Sequence, residues 1–371
     1  MLDKIYKEIR LVINNFIKKD YWKSFCSADI FYFDDSKKKK TMITFMDSFF
    51  GESYGLQFFV NTDGFNYVHD IFTSKNPDMI SVGDCDSLCA VLVSKEKLTA
   101  EDKIFLTKCK SRVKEENNLI IYRFKKGYAQ RHANLNELKM ILEKISYLSS
   151  IIQNEFNDLV NAFNQGLSAV AYVNLEEYLY HISYLPLPFL EKNPKYKPVN
   201  QDFLNEYKNK TFINDECYLF TSYIPIIIKE TNVRPLLLYF YFSESNKSYL
   251  KFIIDDPKAY YDYIYGILDE VFLNVGKPIK FIFNNREFFF YVAKTLNELQ
   301  IECERTDNND RVDDNITNVI SQIFEKTNDD VIEKEEAVII LMDTLTKLIN
   351  EINESDDETK EINPESSNLV S

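Results

Sequence analysis

The stretch "RPLLLYFYFSESNKSYLKFIIDDP", residues 234–257, holds the most regular pattern in the chain. Two apolar and aromatic runs, 236–242 and 249–254, flank the turn-forming residues 244–247, which predicts a pair of neighbouring strands. Asp256 followed by Pro257 is typical of a helix start, because aspartate accepts hydrogen bonds from the first N–H groups and proline fits the first helical position. The stretch therefore predicts a sheet with a helix packed on it.

The residues that follow extend this pattern. The helix is expected to end near Val275, since Gly276 and Pro278 interrupt it. A strand over 279–283, a helix from Asn284 to Leu299 and a short strand over 301–304 complete the order β-β-α-β-α-β. We expect a C-terminal domain over residues 234–325 with a mixed sheet and helices packed on it.

RNase H-like nucleases share this order in outline, and they bind two Mg²⁺ ions through carboxylates on the first strand, a later strand and a terminal helix. Here the strand 236–242 has no acid before Glu244, and the later strand ends in Asn284 and Asn285, whose amides bind Mg²⁺ less well than carboxylates. The remaining acidic candidates are Asp255, Asp256, Asp313 and Asp314. An inactive or divergent nuclease relative in 234–325 is therefore our alternative interpretation.

The N-terminal part predicts an α+β domain over residues 1–150. Apolar residues at helical spacing predict a first helix over 2–17. Strand-like runs follow at 30–33, 41–46, 56–60, 88–93 and 119–124, with helices expected near 63–72 and from Thr99 onward. Asn134 and Glu137 have the spacing of a capping box and begin a long helix, 134–166, that is expected to reach into the linker.

Residues 167–233 predict a connector with strands. Its extended part contains Pro186, Pro188, Pro194 and Pro198. An amphipathic helix over 331–353 and an acidic, disordered tail over 354–371 are expected at the end. The predicted class is α+β: two α/β-sandwich-like domains with mixed sheets, joined by a long helix, plus a C-terminal helix.

The net charge of −14 is concentrated in one part of the chain. Residues 302–371 hold 20 Asp or Glu and 6 Lys or Arg, so that 1–301 hold 38 of each sign. A neutral body provides no broad basic surface for nucleic acid, and we expect no nucleic-acid partner. The basic run Lys37–Lys40 lies between two strand-like segments and predicts a solvated turn.

The chain of 371 residues, 45% hydrophobic, can bury a large core. Its first residues alternate charged and apolar side chains, unlike a signal peptide, and no run approaches the roughly 18 consecutive apolar residues of a membrane span. Six scattered cysteines indicate reduced thiols. We expect a cytoplasmic protein without a membrane partner.

Sequence motifs for catalysis are missing. No phosphate-binding loop, dinucleotide fingerprint, nucleophile elbow or HExxH motif is present. Cys85 and Cys89 lack a second pair of ligands, and each of the three histidines, His69, His132 and His181, fits a structural role. We therefore expect no catalytic residue, no metal and no cofactor, and the sequence favours a non-enzyme without deciding the question.

Residues 1–150 resemble an uncharacterised bacterial domain with an aromatic "W" turn, a strand reading roughly M-G-x-x-G-E-x-x-G-L, an L-T-x-E-D helix start and an R-x-x-x-P-G-Y element. The matching residues are Trp22, Met46, Gly51, Glu52, Gly55, Leu56, Gly64, Leu98–Asp102, Arg123, Gly127 and Tyr128. Asp47 and Lys126 depart from the pattern, where the family tends to have glycine and proline. Residues 234–325 resemble a second uncharacterised domain that usually accompanies the first. The resemblance implies no assigned activity.

Three of the eight glycines, Gly51, Gly55 and Gly64, lie close together. A phosphate loop would place glycines between a strand and a helix with a nearby lysine, whereas 51–55 separates two strands and carries an acid. We expect these glycines to serve the architecture of the domain.

Arg123 and Tyr128 are our candidate binding residues, because they lie in the R-x-x-x-x-G-Y element after a strand. The alternative for each is structural: an arginine paired with a carboxylate at the edge of the core, and a tyrosine packed under a loop. The leading hypothesis is a cytoplasmic, non-enzymatic binding or adaptor module with a protein partner.

Overall fold

The computed structural model describes residues 1–35, 40–46, 54–73, 85–174, 179–186, 196–224, 226–254, 257–306, 321, 323 and 331–344. The chain divides into two compact units, one of Met1–Lys126 and Gln130–Lys192, the other of Gly127–Ala129 and Asn193–Ser371. Each unit has a mixed sheet, which confirms the predicted α+β class. Among the described residues, no helix is long and apolar enough to cross a membrane.

The first unit is built on an eight-stranded sheet. Its helices and strands are α1 (Leu2–Lys18), β1 (Phe31–Asp35), β2 (Lys40–Met46), β3 (Gly55–Phe59), α2 (Thr62–Thr73), β4 (Ser87–Val93), α3 (Ala100–Lys108), β5 (Asn118–Phe124), β6 (Arg131–His132), α4 (Leu135–Asn164), β7 (Ser168–Asn174) and β8 (Leu179–Leu185).

The strands of this sheet lie in the order β6-β5-β4-β3-β2-β1-β7-β8, and neighbours are antiparallel except β1 and β7. Successive side chains of a strand point to opposite faces. Phe31 and Phe33 accordingly join the main core with buried residues of α1, α3 and α4, whereas Tyr32 joins a smaller cluster with Phe65 of α2. The sheet is therefore covered by helices on both faces.

The long helix α4 belongs to the first unit. The predicted capping box at Asn134 and Glu137 is confirmed, because each side chain accepts a hydrogen bond from the other residue's backbone N–H. Buried side chains such as Ile141 and Leu148 pack in the main core, and β7 and β8 after the helix complete the same sheet.

The second unit contains a five-stranded sheet. The helices and strands of this unit are α5 (Gln201–Tyr207), β9 (Phe212–Tyr223), β10 (Ile227–Ile228), β11 (Leu236–Phe242), β12 (Lys247–Ile253), α6 (Tyr260–Asn274), β13 (Lys277–Phe283), α7 (Arg286–Glu298), β14 (Glu302–Arg305), β15 (Val331–Ile332) and the helical residues 334–344, here α8.

The strand order in this sheet is β12-β11-β9-β13-β14, with β12, β11 and β9 antiparallel and β9, β13 and β14 parallel. Leu238 and Phe240 of β11 face a core shared with α5, α6 and α7, and Leu237 and Tyr239 face a second core shared with α8. Because β11 is buried on both faces, its sequence is a continuous apolar run without alternation.

The segment 167–233 differs from the predicted connector. It supplies β7 and β8 to the first sheet and β9 to the centre of the second. β9 pairs with β11 on one side and β13 on the other, so that the second sheet begins before residue 234.

Two of the clustered glycines lie where a side chain would collide with backbone. A Cβ on Gly55 would lie 2.8 Å from the carbonyl oxygen of Ala90, and one on Gly64 would lie 2.8 Å from that of Asp86. These close approaches explain the two glycines as architectural.

Some predictions fall on residues outside the described part of the chain. These are Gly51, Lys37–Lys39, Asp255, Asp256, Asp313, Asp314, the end of the predicted C-terminal helix (345–353) and the acidic tail (354–371).

Candidate functional site

Asp102 forms the polar cluster that most resembles a catalytic arrangement. Its Oδ1 lies 2.8 Å from Nε2 of His132 and accepts a hydrogen bond of 2.8 Å from the Tyr122 hydroxyl. Its Oδ2 accepts a hydrogen bond of 2.9 Å from the backbone N–H of Thr99. The carboxylate side chain is 1% exposed, and the Phe105 ring stacks on the imidazole with centroids 4.6 Å apart.

Local structure brings these groups together. Tyr122 and His132 are directly opposite each other in the β5–β6 pair, so both side chains lie on the same face of the sheet. Thr99 and Asp102 form a capping box at the start of α3, which places the carboxylate beside that face.

The electrostatics favour a charged aspartate. Burial raises the pKa of Asp102, but hydrogen bonds from His132, the Thr99 backbone and Tyr122 outweigh it, so that the pKa falls below its ordinary value. Burial and the neighbouring carboxylate raise the pKa of Tyr122, whose hydroxyl stays protonated as a donor.

An Asp–His pair can orient a general base, but a base needs a nucleophile to activate. Among the hydrogen bonds of the described residues, His132 has Asp102 as its side-chain partner and no serine or cysteine. The carboxylate instead joins α3 to β5 and β6, so the arrangement supports an anchoring role.

The anchoring role of Asp102 predicts a pH-dependent stability. Because its folded pKa lies below the ordinary 3.8, its contribution is present above that pH and is lost as pH falls through the folded pKa. Asp102→Asn should lower the free energy of unfolding by about 1–3 kcal/mol at neutral pH. In urea titrations this difference from the wild type should shrink as the pH is lowered below 3.8.

Glu101→Gln is the matched control, because Glu101 is an exposed carboxylate in the same helical turn. It should change the stability little at either pH. A difference between wild type and Asp102→Asn that stays constant from neutral to acid pH would contradict the anchoring role.

The candidate binding residue Arg123 lies in an ion-pair network of the first unit. Its guanidinium is 2.6 Å from Oδ1 of Asp86 and 3.3 Å from Oε1 of Glu137, and it donates to the carbonyl oxygens of Ser87 and Phe124. The side chains of Arg123 and Asp86 are each 13% exposed. The residue thus links β5 to the start of β4 and the N-terminus of α4.

The other candidate, Tyr128, belongs to the second unit. It forms an antiparallel bridge with Val233, and the N–H of Ala129 donates to the carbonyl of Asn232 at 2.8 Å. Its side chain packs against the core that contains α8. Arg123 and Tyr128 therefore lie in different units.

The cysteine pair is buried in the first unit. The Cys85 thiol lies 3.3 Å from the hydroxyl of Ser87, and burial raises the pKa of the Cys89 thiol. Of the two remaining histidines, His69 lies in α2 and His181 is exposed on β8. Within the described ranges, no group of three His, Cys, Asp or Glu side chains is placed to hold a metal ion.

The nuclease alternative would require metal-binding carboxylates at the strand ends of the second sheet. Asn284 and Asn285, after β13, hydrogen-bond to Thr221 of β9. Glu244 lies in the exposed turn between β11 and β12, and its backbone N–H donates to Asp215 at 2.8 Å. Amides and a hydroxyl therefore occupy the end of β13, and Asp215 stabilises a turn.

The helix α8 has apolar side chains on two faces. The face buried in the second unit carries Ala337, Ile340, Leu341 and Thr344. The other face carries Val338, Ile339 and Met342, which are 40%, 62% and 58% exposed. An open groove of about 830 Å³ follows this face and is lined by Val338 and Ile339 with Glu230, Glu333, Lys334 and Glu335. We refer to these six groove residues as the α8 surface.

The sequence indicated an amphipathic helix here but did not show which apolar residues would remain exposed. Leu341 is buried in the core of the second unit, whereas Val338, three residues earlier, is exposed. The second apolar face was not predicted, although the consecutive residues Val338–Met342 were a signal that one helix face was too narrow for them.

Comparison with known proteins finds a family model that matches part of the first unit. No curated protein matches the chain. The model of the family described as "Domain of unknown function (DUF7309)" matches residues 6–168, from α1 to the first residue of β7. The match does not reach 234–325, whose resemblance to a second domain stays a prediction. Residues 6–168 therefore match the model of an uncharacterised domain family, in agreement with the predicted resemblance.

Proposed function

We propose that the protein is a cytoplasmic, non-enzymatic binding module that binds a protein partner on the α8 surface. The observation that carries the proposal is Ile339, which is 62% exposed on a helix whose opposite face is buried in the core. Val338 extends the apolar area beside it. A contiguous exposed apolar patch with a polar rim is typical of an interaction site.

The rim of the groove indicates the chemistry of the partner. Glu230, Glu333 and Glu335 line it with a single Lys334. Glu333 pairs with Lys229, and the Glu230 carboxylate accepts a hydrogen bond from the backbone N–H of Lys334. The excess of carboxylates favours an apolar segment bordered by basic side chains, such as an amphipathic helix lying in the groove.

The polar cluster of the first unit supports a structural role over a catalytic one. The Asp102 carboxylate already accepts hydrogen bonds from Tyr122 and Thr99 and contacts His132. A buried, fully engaged carboxylate is suited to holding α3 in place.

Ile339→Glu should reduce partner retention at least about tenfold, because it puts a charge in the centre of the apolar contact. Wild type and variant, immobilised as full chains, would be exposed to lysate of the native cells, and the retained proteins compared by quantitative mass spectrometry. Thermal unfolding would verify that the variant folds like the wild type.

Leu273→Glu is the matched control, since Leu273 in α6 of the same unit is 63% exposed, compared with 62% for Ile339. It should retain the same proteins as the wild type. The proposal fails if Ile339→Glu retains them equally well, or if wild type retains nothing above the level of the bare resin.

A further inference from the structure

The edge strand β8 has a sequence that is symmetric about its centre. Its seven residues read L-Y-H-I-S-Y-L, so that leucine lies three positions and tyrosine two positions on each side of Ile182. Within the described residues, β8 pairs with β7 on one side and forms one edge of the eight-stranded sheet.

The sequence of β8 lacks the residues that usually protect an edge strand against pairing. Natural edge strands are commonly interrupted by proline or carry charged residues, especially lysine. Residues 179–185 contain no proline, lysine, arginine, aspartate or glutamate. The strand is also regular over its length, because all seven residues pair in register with β7.

Exposed apolar side chains lie at both ends of this edge. Leu179 is 61% and Leu185 is 42% exposed, and the alternation of the strand places both on the same face. Tyr172 of β7, 48% exposed, lies directly opposite His181 and extends this face. On the other face, Tyr180, Ile182 and Tyr184 pack against the core of the first unit.

We propose that the chain forms a twofold homodimer in which β8 pairs antiparallel with β8 of a second copy, centred on Ile182. In this register Leu179 lies opposite Leu185 of the second copy, and Tyr180 lies opposite Tyr184. Each exposed leucine is covered by its counterpart, cross-strand tyrosine pairs form, and no like charges are placed opposite each other. A twofold axis requires a self-complementary surface, which the symmetric sequence provides.

This interface lies in the first unit and involves no residue of the α8 surface. It therefore goes beyond the proposed function, and either proposal can fail without the other. The sheet would continue through the dimer as sixteen hydrogen-bonded strands.

The test is the molar mass of the full chain, measured by light scattering after size exclusion over a range of concentrations. One chain has a mass of 43.8 kDa, and the wild type should show twice this value at high concentration. Leu179→Lys should raise the dimer dissociation constant at least about tenfold, because it removes an apolar contact and adds a charge at the edge. Leu273→Lys, at a residue 63% exposed in the second unit, should leave the constant unchanged.

Two double variants test the register. Leu179→Lys with Leu185→Glu places opposite charges across the interface and should restore the dimer, whereas Leu179→Lys with Leu185→Lys places like charges there and should give a monomer. In a parallel pairing of the same strand, residue 179 would lie opposite residue 179 of the second copy. The first double variant would then place like charges opposite each other and would not restore the dimer. Circular dichroism would show that each variant keeps its fold.

The proposal is overturned if the wild type is monomeric at every concentration, or if it is dimeric and Leu179→Lys leaves it so. It is also overturned if both double variants behave alike.

Discussion

Replacing Arg123 with methionine should lower the free energy of unfolding of the first unit by about 3 kcal/mol. The guanidinium lies 2.6 Å from Asp86 and 3.3 Å from Glu137, whose side chains are 13% and 18% exposed. Without the arginine, the poorly solvated carboxylate of Asp86 loses this cationic partner, and Glu137 keeps Arg131 but loses Arg123. The carbonyl oxygens of Ser87 and Phe124 lose a donor. Methionine keeps most of the apolar volume, so the loss reports on the charge and hydrogen bonds.

The destabilisation caused by Arg123→Met should extend through Asp86 to α2. The other oxygen of Asp86 accepts a hydrogen bond from Asn61, whose Oδ1 accepts one of 3.1 Å from the N–H of Gly64. Arg123 therefore lies at one end of a chain of contacts that reaches the first turn of the helix. Hydrogen exchange in Arg123→Met should accelerate in α2 and around β4.

Arg131→Met is the matched control. Arg131 also pairs with Glu137, at 2.7 Å, but its side chain is 51% exposed. An ion pair in contact with water contributes little, and the control should lose at most about 1 kcal/mol. Urea titrations of both variants would measure the difference. If Arg123→Met is as stable as the wild type, the structural interpretation fails and Arg123 returns as a candidate ligand-binding residue.

Local patterns predicted most helices and strands, since these elements take their signal from neighbouring residues. The helical spacing of Ile5, Ile9 and Ile13 identified α1, and all three are buried. Asn134 was identified as the start of a capping box and Leu98–Asp102 as a helix start, and Asn134 and Thr99 both form capping boxes. Such interactions span three or four residues, and a single sequence contains them in full.

Strand β9 was missed because its polar residues interrupt the apolar run. Asn214, Asp215 and Glu216 lie within it, and Asp215 is buried. That burial depends on a partner far along the chain, the backbone N–H of Glu244. A local pattern cannot show that a carboxylate in a strand will be stabilised by a distant turn.

The Asp102 cluster likewise depends on contacts between residues that are far apart in the sequence. A helix start at Leu98–Asp102 was visible in the sequence, but the contact of Asp102 with His132 depends on the pairing of β6 with β5 and on the position of α3. Tyr122 and His132 are 20 and 30 residues from Asp102 along the chain, so tertiary structure brings them to it.

Lys144 and Asp35 form a buried ion pair in the first unit. Nζ of Lys144, on α4, lies 3.1 Å from Oδ2 of Asp35 at the end of β1, and the side chains are 2% and 1% exposed. Lys144→Met should lower the free energy of unfolding by about 4 kcal/mol, because it leaves a carboxylate buried without its cation. The single variant Asp35→Asn should also be destabilised, since it leaves the buried ammonium group with the exposed carboxylate of Glu143 as its remaining anionic contact.

The double variant Lys144→Met with Asp35→Asn removes both charges and should be more stable than the sum of the two single losses predicts. Glu143→Gln is the control: Glu143 is 3.1 Å from the same ammonium group but 41% exposed, and its loss should be below about 1 kcal/mol. Chemical denaturation of the wild type, the two single variants and the double variant completes the cycle, and Glu143→Gln is measured beside them. If the two single losses simply add, the pair is not coupled, and the stability of α4 on the sheet rests on its apolar contacts.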